Sequence, residues 1–248
     1  MEESIRHAVT RAIVAMQENL GEHLTIDDLA RSAMFSKFHF TRVFQRATGL
    51  SPGRFLAALR LAEAKRLLVT TPISVADISH QVGYNSVGTF STRFRGSVGF
   101  SPAHYRSLGG RPRRVPGRPA RTGPGTTVRG QLNCPPGVEF GPAFVGLFPT
   151  RILEGLPVRS LILPAPGPYS LPNVPTGRWH VIVHTFGTGP HEQDPCAHTG
   201  IGGPLTAGPG ITASIGDVQV HPRRRLDPPR LLALPDLRAV PVRRRAAV

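Results

Sequence analysis

Thr25-Ile26-Asp27-Asp28-Leu29-Ala30 and Ser74-Val75-Ala76-Asp77-Ile78-Ser79 are two copies of one pattern, 49 residues apart, and this repeat decides the fold. After one inserted residue the spacing becomes 50, and it then holds for aromatic, glycine and Ser-Pro positions: Phe40, Phe44, Gly49, Ser51, Pro52 and Phe55 match Phe90, Phe94, Gly99, Ser101, Pro102 and Tyr105. Two copies are too few for a solenoid. Each copy predicts a helix, a tight turn and a second helix with a polar, basic outer face.

The local sequence predicts where these helices begin and end. Apolar residues at steps of three and four between residues 3 and 20 predict a first amphipathic helix, which Gly21 ends. An acid three residues after Thr25, and again after Ser74, predicts two helix starts of the capping-box type. The remaining predicted helices cover 36–48, 52–69, 75–82, 86–97 and 101–105.

The charge of the chain indicates an anionic partner but does not locate its site. The 248 residues carry a net charge of +15, which favours binding to nucleic acid. Residues 1–110 have 13 basic and 8 acidic side chains, and residues 111–248 have 17 and 7. The repeat region is therefore the less basic part, so charge alone points to the other half.

The second half lacks helical periodicity and predicts a different kind of domain. Short apolar runs alternate with Pro/Gly clusters, as in small antiparallel β-sandwiches: 144–148, 160–163, 169–171 and 179–184. The stretch 187–210 is rich in glycine and proline and predicts a loop. The expected fold class is thus α + β multidomain, an all-α double helix-turn-helix domain followed by a small antiparallel β-sandwich-like domain. The predicted boundaries are 1–108 for the first domain, 109–126 for a Gly/Pro/Arg-rich linker, 127–240 for the β-rich domain and 241–248 for a basic tail.

The motifs of the first half resemble those of the AraC/XylS transcription regulators. The resemblance runs from about Ile5 to Arg106 and is strongest in Asp77-Ile78-Ser79, Val82-Gly83-Tyr84, Phe90-Ser91-Thr92-Arg93-Phe94, Gly99-Phe100-Ser101-Pro102 and Tyr105-Arg106. The first copy, from Ser36 to Pro52, fits the same pattern. The resemblance implies a DNA-binding transcription regulator with double-stranded DNA as its partner, and RNA polymerase as a possible second one. Since many relatives place their effector domain first, the reversed order here leaves a small-molecule effector open.

One segment of the second half resembles another family. Residues 168–181 are similar to a hairpin of prealbumin-like, carboxypeptidase-regulatory sandwiches. The resemblance implies an accessory domain that binds an effector, a partner protein or nothing.

The second helix of each copy is the predicted recognition helix, because an α-helix fits the major groove of B-DNA. Phe40, Val43 and Phe44 share one face and are expected in the core, as are Phe90 and Phe94. The candidate DNA-binding residues point outward: Ser36, Lys37, Phe38, Thr41, Arg42 and Gln45 in the first copy, and Ser86, Val87, Gly88, Ser91 and Thr92 in the second.

The two predicted recognition helices are unequal. By the resemblance, Phe38, Thr41 and Arg42 lie where base or phosphate contacts are made, whereas Thr92 stands where an arginine is frequent. We therefore expect the second helix to bind DNA more weakly. Arg42 could contact phosphate alone, Phe38 could pack against the protein, and His39 could be a polar neighbour without a switching role.

The helix between the copies predicts how one chain meets DNA. A helix over 52–69 spans about 27 Å, near the ~34 Å of one DNA turn. One chain could therefore read two successive groove segments.

The sequence has few features that point to catalysis or to metal binding. It shows no nucleophile elbow, phosphate-binding glycine loop or carboxylate pair, which predicts that the protein is not an enzyme and uses no cofactor. His191, Cys196 and His198, with His180 and His184 nearby, match no known metal spacing, so no metal is expected. Two cysteines exclude a disulfide framework, and the lack of a signal peptide or long apolar run predicts a cytoplasmic protein. The alternatives are a non-specific nucleic-acid binder that uses the arginine runs at 111–114, 223–225 and 243–245, or a regulator whose second half binds metal or a small ligand.

Overall fold

The computed structural model describes residues 2–115, 125–135, 141–186, 198–208 and 212–235. Its internal contacts divide the chain into two units. The helical unit comprises Met1–Pro112 together with two later segments, Ile152–Gly155 and Arg224–Ala233. The strand unit comprises Arg113–Arg151, Leu156–Arg223 and Leu234–Val248. The helical unit thus differs from the contiguous 1–108 expected from sequence, because it includes two segments from the second half. Half of the predicted linker (116–124) and the basic tail lie outside the described residues.

Seven helices are described in the helical unit, in the order that the repeat predicts. They are α1 (Glu2–Glu18), α2 (Ile26–Ser32), α3 (Lys37–Thr48), α4 (Pro52–Thr70), α5 (Val75–Gln81), α6 (Val87–Val98) and α7 (Pro102–Ser107). The predicted capping box is present at Thr25, and at Ser74 the hydroxyl cap is present. The Thr25 hydroxyl accepts from Asp28 N–H at 3.2 Å while Asp28 accepts from Thr25 N–H at 3.0 Å, and the Ser74 hydroxyl accepts from Asp77 N–H at 3.1 Å. None of the described helices is long and apolar enough to cross a membrane.

The core of the helical unit is built from the repeated aromatic positions. Phe40, Phe44 and Phe55 contact one another in sequence, the first pair tilted and the second edge-to-face, with ring centroids 5.4 Å apart at each step. Phe90, Phe94 and Tyr105 repeat this arrangement at 5.6 Å. Each series links a recognition helix to the Ser-Pro helix that follows it, which explains why these positions recur together in the sequence.

The two helix-turn-helix units differ at the turn itself. Met34 and Gly83 occupy equivalent positions, and both have left-handed backbone, with φ of 61° and 82°. A Cβ at Gly83 would lie 2.6 Å from the carbonyl oxygen of Leu20, so this turn requires glycine. At Met34 the side chain is 81% exposed, so space is available and only the backbone conformation is unfavourable.

Substituting Met34 by glycine is therefore expected to stabilise the protein by about 0.5–1 kcal/mol. The gain comes from relief of left-handed strain and is reduced by the larger entropy of glycine in the unfolded chain. Chemical denaturation followed by helical circular dichroism measures it. Met34→Ala is the control, since it removes the exposed side chain but keeps the Cβ. An equal gain in both variants would show that the side chain, not the backbone, carries the cost.

The strand unit contains two sheets. Its strands are β1 (Thr126–Asn133), β2 (Ala143–Phe148), β3 (Ser160–Leu163), β4 (Gly167–Val174), β5 (Gly177–Thr185), β6 (His198–Ala207), β7 (Thr212–Gln219) and β8 (His221–Pro222). The orders are β4-β1-β7 and β3-β2-β5-β6-β8. Val128 and Leu171 from the first sheet share a core with Val145, Val181 and Val183 from the second. The prealbumin-like assignment stays a prediction.

Two details of the strand unit correct the sequence predictions. The expectation of a wholly antiparallel domain was wrong for β1 and β7, which pair in parallel; these strands are far apart in sequence, so no hairpin turn fixes their direction. The expectation of a loop over 187–210 was wrong for 198–207, which forms β6. There Gly200 and Gly202 allow close approach, since a Cβ on either would lie 2.8 Å from Gln219 O or Val218 Cγ2. Residues 187–197 lie outside the described residues.

Candidate nucleic-acid interface

The structure separates the buried and outer faces of α3 as predicted. Phe40, Val43 and Phe44 are at most 5% exposed. Ser36 is exposed at the N-cap position, where its side chain forms no capping hydrogen bond, and four further candidate residues are exposed: Lys37, Phe38, Arg42 and Gln45. Thr41 is half-buried, and its hydroxyl donates to Lys37 O at 2.9 Å. The candidate residues of the first unit thus lie on one accessible helix face.

Three side chains of α3 can be assigned more closely. Phe38 is 82% exposed, so it does not pack in the core and its ring is available to a partner. Lys37 Nζ lies 3.1 Å from Asp27 Oδ2, so this cation already has a carboxylate partner. The side chain of Arg42 is exposed, and within the described residues it forms no ion pair and no hydrogen bond. Unlike Lys37, it therefore has no carboxylate partner to give up.

His39 does not behave as a separate functional group. Its ring lies edge-on to Phe35, with centroids 4.7 Å apart. The same arrangement recurs between Phe100 and His104 at 5.2 Å. These two contacts lie at different positions of the repeat, and each joins residues four apart in sequence, which is consistent with the interpretation of His39 as a neighbour on the helix.

The outer face of α6 is smaller and less charged than that of α3. Gly88 and Thr92 are exposed, and Val87 and Ser91 are half-buried. Ser86 is exposed, but its hydroxyl caps the helix by accepting from Thr89 N–H at 3.4 Å. Phe90, Phe94 and Val98 form the buried face. The second unit therefore offers DNA few polar side chains from the predicted positions.

Arg93 is a candidate that the sequence reasoning did not select. It is exposed on α6, beside Thr92. Burial raises the pKa of Tyr84, and the charges of Arg93 and Arg60 partly offset this. The equivalent position in the first copy is the buried Val43, so the repeat itself marks Arg93 as a departure from the core pattern. With Arg95 in the last turn, it is one of two exposed arginines on α6.

The orientation of α6 relative to the first helix-turn-helix copy depends on Arg60 of α4. Its guanidinium donates to Leu20 O at 2.9 Å, Glu22 O at 2.7 Å and Gly83 O at 3.2 Å. The first two carbonyls follow α1, and the third belongs to the turn before α6. Burial lowers the pKa of Arg60, yet an arginine stays charged in proteins. The donors of one guanidinium thus link the two helix-turn-helix copies through α4, the helix between them.

A second arginine has a similar role at the C-terminal end of α4. Arg106 of α7 donates to Leu68 O at 3.0 Å and to Ile73 O at 2.6 Å. These carbonyls lie at and just beyond the last turn of α4, where backbone acceptors lack helical partners. Sequence reasoning placed Arg106 in a motif but gave no role for it.

The predicted absence of a metal remains a prediction. His180 and His184 lie in β5 and His198 in β6, while His191 and Cys196 lie outside the described residues. In the part of the chain that the structure describes, no three His, Cys, Asp or Glu side chains come together as metal ligands. Burial, with the charges of Arg151 and Arg178, lowers the pKa of His180.

Comparison with known proteins supports the DNA-binding interpretation. A family model described as a helix-turn-helix domain matches residues 29–107, all within the helical unit. The HTH-type transcriptional activator AarP of Providencia stuartii is 33% identical over 98 residues, which cover 40% of this chain and 73% of that protein. The lactose operon transcription activator of Staphylococcus xylosus is 34% identical over 104 residues, covering 42% of this chain and 36% of that protein.

One solved structure matches part of the chain. It is a transcriptional regulator of Chromobacterium violaceum, described as AraC-type, with 29% identity and a TM-score of 0.42. The match covers 43% of this chain and 96% of that one. Among the two sequence relatives, the chain spans 73% of the first and only 36% of the second.

Proposed function

The chain belongs to the AraC family of DNA-binding transcription regulators, and we propose that it recognises one asymmetric DNA site. In this proposal α3 and α6 enter two successive segments of the major groove on the same face of the duplex. The observation that carries it is the exposed outer face of each predicted recognition helix, which lies opposite a buried aromatic face of the same helix. Sequence is read by side chains that reach base edges, so exposed side chains on both helices are required.

The link between the helices supports simultaneous binding. α4 has 19 residues, which span about 28 Å at 1.5 Å per residue, against ~34 Å for a DNA turn. The three hydrogen bonds of Arg60 restrict the rotation of one helix-turn-helix copy against the other. A fixed spacing of two helices favours one spacing of two half-sites.

The outer faces predict an unequal site. The first half-site would meet Phe38, Thr41 and Arg42, of which Arg42 can form bidentate contacts with guanine and Phe38 can contact a thymine methyl. The second would meet Ser91 and Thr92, with Arg93 at the flank for phosphate. We expect a well-defined first half-site and a degenerate second one. RNA polymerase and a small effector stay predicted partners of the whole protein.

Selection from a random DNA pool with the full chain tests this proposal. The expected result is one asymmetric motif with two blocks about 10 base pairs apart. Insertion of about 5 base pairs between the blocks should then lower affinity by tenfold or more, because it moves the second block to the opposite face. The control is the same insertion outside the blocks. Enrichment of no motif, with binding abolished by bulk competitor DNA, would favour the non-specific alternative.

A further inference from the structure

The last turn of α6 is contacted by a segment from the second half of the sequence. Gly155 N–H donates to Ser97 O at 2.6 Å. Gly155 has φ of 68°, and a Cβ there would lie 3.1 Å from Gly96 O. Ile152, three residues earlier, is 1% exposed and belongs to the core of the helical unit. The segment 152–155 is therefore packed against this helix end, and its glycine permits the close approach.

A second segment closes on the same helix end. Ala233 N–H donates to Val98 O at 3.0 Å, and the amides of Leu231 and Leu232 both donate to Leu153 O at 2.9 Å. Leu231 and Ala233 are fully buried and share the core of Val98. The segments 152–155 and 224–233 thus bind each other and the end of α6, and together we call them the clamp.

The clamp is also anchored along α4. Glu154 forms an ion pair with Arg54 in the first turn of α4. Lys65, 11 residues further along, donates to Arg230 O at 3.3 Å and is only 4% exposed. Eleven residues of helix correspond to about 16 Å. The clamp therefore connects two distant points of α4 with the C-terminal end of α6.

The repeat shows how the ends of α3 and α6 differ. The last carbonyls of a helix have no intrahelical donor. In the first copy the Thr48 hydroxyl donates to Phe44 O at 2.9 Å and accepts from Leu50 N–H at 3.2 Å, which ties the residues after α3 to its last turn. The equivalent residue of the second copy is Val98, which has no hydroxyl. There the clamp contacts the last turn, and its amides donate to the carbonyls of Ser97 and Val98.

We propose that the clamp is a positioning element for the second recognition helix. It fixes the C-terminal end of α6 against α4, while Arg60 fixes the turn before α6. Without the clamp, α6 would remain a helix but would lose its defined angle to α4. The protein would then lose its recognition of the second half-site. This inference depends on the proposed function for its DNA readout only.

The test uses the full chain with Glu154→Arg, which opposes two cations at Arg54, and the charge-swapped double variant Arg54→Glu with Glu154→Arg. For the selected site, we expect Glu154→Arg to lower affinity about fivefold to tenfold and the double variant to restore it to within about threefold. For a site with its second half scrambled, Glu154→Arg should change affinity less than about twofold. Equal losses on both sites, or no loss on the intact site, would overturn the proposal.

Amide hydrogen exchange of α6 provides a readout that needs no DNA. Glu154→Arg and Leu231→Ala should each raise exchange near residues 97–99 while the amides of α3 stay protected. Unchanged exchange near 97–99 in both variants would refute the clamp. If the wild-type chain selected no DNA motif but the two variants showed this exchange pattern, the proposed function would fail and the clamp would stand.

Discussion

Replacement of Arg60 by alanine is expected to lower the free energy of unfolding of the helical unit by about 3 kcal/mol. The guanidinium donates to three carbonyl oxygens in a half-buried position, and hydrogen bonds with a charged partner contribute about 1.5–3 kcal/mol each, though not additively. Its loss leaves the carbonyls of Leu20, Glu22 and Gly83 without this donor. Chemical denaturation followed by helical circular dichroism measures the change.

Two substitutions on the same helix serve as controls for Arg60→Ala. Arg66 is exposed and pairs with Glu63 at 2.6 Å, so Arg66→Ala should cost less than about 1 kcal/mol. Arg60→Lys keeps the charge but not the planar fork, so we expect an intermediate loss. If Arg60→Ala were no more destabilising than Arg66→Ala, the proposed link between the two helix-turn-helix copies would be wrong. Binding to the selected site should fall with Arg60→Ala even at temperatures where the variant remains folded.

Replacement of Arg42 by alanine is expected to weaken binding to the selected site by about tenfold to 100-fold. One good contact to a base contributes about 1–3 kcal/mol of discrimination, and 1.4 kcal/mol is a factor of ten. Thr92→Ala should cost no more than about threefold, since the hydroxyl of a single exposed threonine is a neutral group. Affinities measured by fluorescence anisotropy at one fixed salt concentration test this order.

The same variant distinguishes the two roles open to Arg42. If Arg42 reads a base, Arg42→Ala relaxes the preference at one position of the first half-site. If it contacts phosphate, binding weakens for all sequences, and the slope of log affinity against log salt concentration falls in magnitude by about one. Arg46→Ala, one turn further along α3, is the control for the loss of a positive charge. Comparable losses for Arg42→Ala, Arg46→Ala and Thr92→Ala would contradict the unequal reading of DNA.

The sequence predicted the helices of the first half well because its signals are local. The Ser/Thr-x-x-Asp caps depend on residues three apart, and the buried aromatic positions follow one helical face. The outward residues of α3 followed from the same periodicity. Their ion pairs did not, since the partner of Lys37 is Asp27, on the preceding helix.

The features that sequence reasoning missed depend on contacts between distant segments. Residues 152–155 and 224–233 have no periodicity and are rich in proline or glycine, so nothing local indicates that they join the helical core. Gly200 and Gly202 resembled loop residues because the neighbouring strand that needs them is not visible in sequence. Met34 is a different case, since the alignment of the two copies places it opposite Gly83 and could have predicted its left-handed turn.

The burial of Lys65 has a consequence for the chemical reactivity of the protein. The chain contains two lysines, Lys37 and Lys65. The side chain of Lys37 is 50% exposed, whereas Lys65 is 4% exposed beneath the carbonyl of Arg230 and lies 5.7 Å from the centre of the Tyr105 ring. An amine-selective reagent should therefore modify Lys37 rapidly and Lys65 only when residues 224–233 move away. The ratio of the two modified products, measured by mass spectrometry, therefore reports how often residues 224–233 move away from Lys65.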